Sequence, residues 1–168
     1  MPNWCNGCVK VKGEPKNIEK FCKLFLFDDT KETQKKYFAR SFAFDNWKNF
    51  KKNNLGEDEA EFGIDFAWSV TSCLISGYPQ DNPKTCLTLV DACKKYKVDV
   101  VIDGEEGGMG FEEHIECNRN GELIEECFDM PAYSCKNCKN QMLIPSSYDV
   151  KEEECIECSH VGEWEGVI

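Results

Sequence analysis

Phe62-Gly63-Ile64-Asp65-Phe66-Ala67-Trp68-Ser69-Val70 is the stretch on which the fold reading turns. Phe62, Ile64, Phe66, Trp68 and Val70 alternate with small or polar residues. Successive side chains of a β-strand point to opposite faces, so a period of two places all five on one face. The alternation is the cleanest in the chain and predicts a central strand.

Working back toward the N-terminus, Val9 and Val11 alternate with Lys10 and Lys12, predicting a first strand over about Trp4 to Lys12. Cys5 and Cys8 form a CxxC there, but residues three apart on a strand face opposite ways, so no metal or redox pair is expected. Gly13-Glu14-Pro15 opens a helix, with proline suited to its first turn. Ile18, Phe21, Cys22 and Phe25 then form one apolar stripe, clear of Lys16, Lys20 and Lys23. Lys31 to Tyr37 reads as helical, and Phe38 to Phe44 as a strand with Phe38, Phe42 and Phe44 on one face. Trp47-Lys48-Asn49-Phe50-Lys51-Lys52 interleaves aromatics with lysines. That pattern can stack bases and contact phosphates. So short a run is better read as an amphipathic structural segment.

Toward the C-terminus, Gly77 to Asp81 reads as a loop, and Asn82 with Pro83 as the start of a second helix. Cys86, Leu87, Leu89, Val90, Cys93 and Tyr96 are its apolar side, and Lys94, Lys95 and Lys97 suit the negative end of its dipole. Val98, Val100 and Ile102 begin another strand. Gly104 to Gly110 lacks the Lys-Ser/Thr of a phosphate loop and is read as a bend or bulge. Phe111 to Cys117 and Glu122 to Phe128 flank Asn120-Gly121, a two-residue hairpin signal. That turn pairs Arg119 with Glu122, Cys117 with Ile124 and His114 with Cys127.

The order strand, helix, strand, strand, helix, strand, then a hairpin, predicts an α+β fold. Its expected form is a ferredoxin-like antiparallel sheet with two helices on one face. Met130-Pro131 is a natural boundary, dividing the chain into residues 1–130 and 131–168. The second part carries Cys135-Lys136-Asn137-Cys138 and Cys155-Ile156-Glu157-Cys158. Two CxxC turns at this separation predict a small zinc ribbon, with Cys135, Cys138, Cys155 and Cys158 as ligands. Four sulfurs close the coordination shell, so the expected Zn2+ is structural rather than catalytic. His160 is an alternative ligand, made unnecessary by four correctly spaced cysteines.

The 168 residues carry a net charge of −11, unevenly placed. Residues 1–54 hold twelve Lys+Arg against six Asp+Glu, and residues 55–168 hold eight against twenty-five. Such an acidic surface repels phosphate backbones and attracts a basic protein surface. The absence of any long apolar run and of a signal-like N-terminus predicts a cytoplasmic protein without membrane contact. The eight cysteines outside the CxxC turns of the ribbon are then expected as reduced thiols, mostly in the core. His114 lies among Glu112, Glu113 and Glu116, a grouping that suits acid–base or metal chemistry. On a strand, Glu112, His114 and Glu116 equally form a solvated face opposite Phe111, Ile115 and Cys117. The latter is preferred, and no catalytic residue is assigned.

Met1-Pro2-Asn3-Trp4-Cys5-Asn6, Phe66-Ala67-Trp68-Ser69, Glu105-Glu106-Gly107-Gly108-Met109-Gly110-Phe111 and Asn120-Gly121 occur in an order and spacing that resemble the YubB-like ferredoxin-like domain family of bacteriophages and plasmids. The resemblance covers roughly residues 1–128 and implies a fold and a mobile-element origin, not an activity. The Cys₄ module is an addition to that pattern. The expected function is that of a non-enzymatic protein-binding protein with a basic partner. One concrete form is an inhibitor of a host defence nuclease, such as a CRISPR effector, whose nucleic acid the acidic surface imitates. The alternative is a nucleic-acid-binding accessory protein using the zinc ribbon and residues 31–54. Oligomeric state is left open.

Overall fold

A computed structural model describes residues 3–27, 36–75 and 86–167. Period-two alternation builds its main sheet. The strands are β1 (Trp4–Lys12), β2 (Ser41–Ala43), β3 (Glu59–Ala67), β4 (Asp99–Glu106), β5 (Phe111–Cys117) and β6 (Leu123–Asp129). They form one six-stranded sheet in the order β2-β3-β1-β4-β5-β6, with every pairing antiparallel. The molecule is thus α+β, and the alternating stretch at Phe62 lies inside the sheet, between β1 and β2.

The helices are α1 (Pro15–Cys22), α2 (Trp47–Asn53), α3 (Val70–Leu74) and α4 (Leu89–Tyr96). Apolar stripes on α1 (Ile18, Phe21, Cys22) and α4 (Leu89, Ala92, Cys93) are fully buried. They join Val9, Val11, Phe62, Ile64, Phe66, Val100, Ile102 and Ile115 in one core. Within it Phe25 meets Phe21, Phe38 and Phe62 with ring centroids 6.0, 4.8 and 5.5 Å apart. Such tilted and edge-on pairs each add roughly 0.5–1.5 kcal/mol beyond the area they bury. Both shorter helices pack into the same core, α2 through Phe50 and α3 through Val70, Cys73 and Leu74. Among the described residues, four helical segments rather than two therefore pack into this core.

The fold departs from the sequence reading at several places. The strand around Phe62 ends at Ala67: Trp68 adopts φ +78°, Ser69 caps α3 by accepting from Ser72 N, and Val70 is helical. The left-handed residue breaks the alternation, so Trp68 is exposed while Phe66 is buried. Phe38 to Phe44 shortens to β2 for a similar reason. Arg40 at φ +51° separates buried Phe38 from exposed Phe42 and Phe44, which do not share its face. Gly104–Gly110 is not a bulge. Residues 107–110 form the turn of the β4–β5 hairpin, with Gly110 at φ +75°. In α4 the cap is Thr88, whose Oγ1 accepts from Asp91 N. The expected start at Asn82 and Pro83, the loop at Gly77–Asp81 and most of the Lys31–Tyr37 segment lie outside the described residues.

The β5–β6 hairpin is shifted by one residue from the expected register: Cys117 pairs with Leu123 and His114 with Glu126. Asn118 causes this. Its side-chain oxygen accepts from Asn120 N (2.9 Å) and Glu122 N (3.1 Å), closing a three-residue loop with Gly121 at φ +82°. A one-residue slip exchanges the faces of a strand. Ile124, Glu126 and Phe128 consequently lie beside Glu116, His114 and Glu112.

A second, three-stranded sheet follows, in the order β8-β7-β9, from β7 (Ala132–Cys135), β8 (Gln141–Leu143) and β9 (Trp164–Gly166). Its own small core is Cys135, Ile144, Cys155 and Trp164. Among the described residues no helix is long and apolar enough to cross a membrane.

Candidate metal centre and open sheet face

The four ribbon cysteines converge because two loops repeat one geometry. Lys139 N donates to Cys135 O and Ser159 N to Cys155 O, each at 2.8 Å. Cys135 N donates to Asn140 O at 2.8 Å and Cys155 N to His160 O at 2.9 Å. Lys139 and Ser159, each just after a second cysteine, both sit in the left-handed region at φ +63° and +54°. Each loop thereby turns two sulfurs toward the other loop.

The Sγ atoms of Cys135, Cys138, Cys155 and Cys158 all lie within 4.8 Å of one another. Cys135 and Cys158 are 3.7 Å apart, Cys138 and Cys155 3.6 Å. A tetrahedral ion with metal–sulfur bonds of about 2.3 Å spaces its sulfurs about 3.8 Å apart. The four cysteines are thus placed to hold a metal ion, and the set is consistent with zinc. The Asn137 side chain and then the His160 N–H lower the Cys158 thiol below its ordinary value, which favours the thiolate form that a metal takes. His160 contributes only its backbone; its ring lies 3.5 Å from Glu163.

The main sheet's other face is open: no helix crosses it among the described residues. Cross-strand registers place Asp65, Asn6, Glu105, Glu112 and Phe128 in one row, and Cys8, Asp103, His114 and Glu126 in the next. Above these rows the Ser146–Tyr148 loop of the second sheet's module forms a wall, enclosing a groove of about 840 Å³. Two contacts hold the module there. Ser146 N donates to the Glu112 carboxylate, and Leu143 packs against Gly110, where a Cβ would come within 2.7 Å. Burial and then the neighbouring Glu112 raise the Glu105 carboxyl.

His114 is bracketed. Nδ1 lies 2.6 Å from Asp103 and Nε2 3.1 Å from Glu116. Ionised carboxylates only accept, so making both bonds requires an imidazolium. The Asp103 bond, then the Glu116 bond, raise its pKa. Neither nitrogen is left free to act as a base. The Cys8 thiol is raised by burial and by Glu61, to which it donates. The one thiol in the same row as His114 among the described residues is therefore not activated. We expect an NMR titration of His114 to show a midpoint above the ordinary value of about 6.5, lowered by Asp103→Asn. Because the folded value is the higher one, this contribution to stability is complete below the unfolded pKa and fades as pH rises through the folded pKa. A midpoint at or below 6.5 would contradict the bracketed geometry.

Two carboxylates that sequence reasoning missed are buried. Glu113 accepts from Val70 N (2.6 Å) and Thr71 N (3.3 Å) at the start of α3. Glu106 accepts from Gly108 N and Met109 N, closing the β4–β5 turn. Alternation between Phe111 and Ile115 already put Glu113 on the covered face; its partners, over forty residues away, were not visible. The Trp47–Lys52 run resolves as an amphipathic helix. Trp47 stacks on Phe50 at 5.3 Å, Phe50 is buried, and Lys51 pairs with Glu19 at 3.1 Å. Those rings are turned to the core rather than presented to bases.

Comparison of the chain with protein-family models, curated proteins and solved structures finds no match.

Proposed function

We propose that this is a non-enzymatic protein-binding protein that offers the open face of its main sheet to a basic protein surface. The observation that carries this reading is the charge of that face. Glu59, Glu61, Asp65, Asp103, Glu105, Glu112, Glu116 and Glu126 lie on it against Lys10, Lys12 and His114. Lys10 and Lys12 are engaged by Glu61 and Glu59, and His114 by Asp103 and Glu116. The excess carboxylates are left to attract an external cation-rich surface.

The scaffold is read as a ferredoxin-like domain over residues 1–130, its β2-β3-β1-β4 order extended by the β5–β6 hairpin. Residues 131–168 are read as a zinc ribbon with a structural ion. Separate hydrophobic clusters in the two parts favour that division. The partner we infer is a host defence nuclease, such as a CRISPR effector, whose basic channel accepts an anionic surface in place of nucleic acid. The YubB-like resemblance favours a phage or plasmid setting for that role. The module itself is acidic, three lysines against seven acids in residues 131–168, which weighs against the nucleic-acid-binding alternative.

The test is capture of a stoichiometric protein from nuclease-treated host lysate, followed by assay of that protein's DNA or RNA cleavage. The wild type should block cleavage, and the triple variant Glu105→Gln, Glu112→Gln, Glu126→Gln should lose both binding and inhibition. A variant that inhibits as well as the wild type would overturn the reading. So would retention of plain nucleic acid by the purified protein at low salt.

A further inference from the structure

We infer that the groove between the open sheet face and the Ser146–Tyr148 loop is a docking site for an extended, arginine-bearing segment of the partner. This inference rests on the protein-binding reading above and narrows it from a charged face to one groove and one side-chain chemistry. The groove runs across the strands rather than along an edge, and about 840 Å³ accommodates side chains of an extended peptide.

Its floor is built against itself. Glu105 and Glu112 are directly paired across β4 and β5, and like charges directly opposite are unfavourable. Glu112 is engaged by Ser146 N. Glu105 is half-buried, and its side chain has no hydrogen-bond or ion-pair partner among the described residues. Asp103 and Glu126 continue the negative lining on either side of His114. Lys10 also lines the groove but pairs with Glu61, and among the described residues no cationic side chain pairs with Glu105 or Glu112, so charge complementarity calls for a cation supplied from outside.

The walls select which cation. Phe128 and Tyr148 line the groove and are half-exposed, at 51% and 49%. A planar guanidinium stacks on such rings while its fork of N–H donors spans neighbouring carboxylates. A lysine ammonium is a point charge and gains less from both features. The Tyr148 wall belongs to the metal-binding module, so the complete groove requires the folded ribbon.

The experiment is an NMR titration of the metal-loaded 168-residue chain with the peptide Gly-Arg-Ser-Arg-Gly and its lysine counterpart. The arginine peptide should bind about tenfold more tightly. Its shifts should centre on Cys8, Glu105, Glu112, Phe128 and Tyr148. Tyr148→Ala, at an exposed position that does not challenge folding, and Glu105→Gln should each erase that preference. Glu59→Gln, on the same face outside the groove, should leave it intact. Equal binding of the two peptides overturns the groove inference, as does an equal loss with Glu59→Gln. Either result leaves the broader acidic-face reading to its own cleavage assay. Undiminished arginine preference after chelation would likewise overturn the groove inference, because it would remove the Tyr148 wall from the site.

Discussion

Cys155→Ser unfolds residues 131–167 and leaves the six-stranded sheet intact. The expectation follows from how little apolar surface the module buries. Apart from its cysteines, the small core consists of Ile144 and Trp164, with Tyr133, Met142 and Val150 packed at its edge. Two fully buried side chains stabilise by about 1.5–3 kcal/mol each. Fixing the backbone costs about 1–2 kcal/mol per residue. The imbalance is large, and a tetrathiolate ion supplies on the order of 10 kcal/mol to offset it. Cys155 is fully buried and lies 3.6 Å from Cys138, so serine there both removes a ligand and leaves a hydroxyl among sulfurs. Amide resonances of β7, β8 and β9 should collapse toward random-coil positions. Those of β1, β3 and β4 should persist, with small shifts near Gly110 and Glu112, where the module rests on the sheet. Chelation of the wild type should reproduce the pattern. Dispersed resonances beyond residue 131 in the variant, or a thermal melt unchanged by chelator, would refute a metal-dependent module.

Glu113→Ala is expected to cost about 2–3 kcal/mol, because it strips the acceptor from one buried and one partly buried N–H group. Val70 N and Thr71 N are among the first donors of α3, which have no partner within the helix. The carboxylate is buried, so water cannot readily replace it. For a chain of this size the melting temperature should fall by about 5–10 °C. Glu113→Gln retains one side-chain oxygen and should recover part of the loss. Glu125→Gln, on the exposed β6, should stay within about 0.5 kcal/mol of the wild type. An alanine variant that melts like the wild type would show that α3 does not depend on this carboxylate. The effect should also reach the Ala67–Ser69 junction, where Trp68 is held at φ +78° between strand and helix. A bulky residue in that conformation is strained and persists only where its surroundings fix it.

What could be read from the sequence was whatever depends on near neighbours. Alternation at Val9–Val11 and Phe62–Phe66 specified strands, because the pleat repeats every two residues. The stripe Ile18, Phe21, Cys22 specified α1, because a helix returns to the same face every three to four, whereas Phe25, expected as its last member, lies past the helix end at Cys22. The two CxxC turns specified a cluster of four cysteines placed to hold a metal ion, because each turn positions its own pair of sulfurs. The same period of two puts Glu113 on the covered face with Phe111 and Ile115, although its burial was missed.

The tertiary structure decided whatever depends on residues distant in the chain or on one dihedral angle. Left-handed Trp68 ended one strand and left-handed Arg40 delayed the start of another, where the apolar pattern would have continued both, since a single φ reversal outweighs alternation. Asn118 moved the hairpin by one residue through two side-chain bonds, and so placed Phe128 beside Glu112 instead of on the covered face. The Asp103–His114–Glu116 bracket joins two strands across eleven residues of separation. The groove itself exists only because Ser146 folds back onto Glu112, thirty-four residues earlier. Local periodicity determines which elements form and which face is apolar. Long-range hydrogen bonding and packing determine which polar groups on the remaining face meet, and it is there that the acidic groove is assembled.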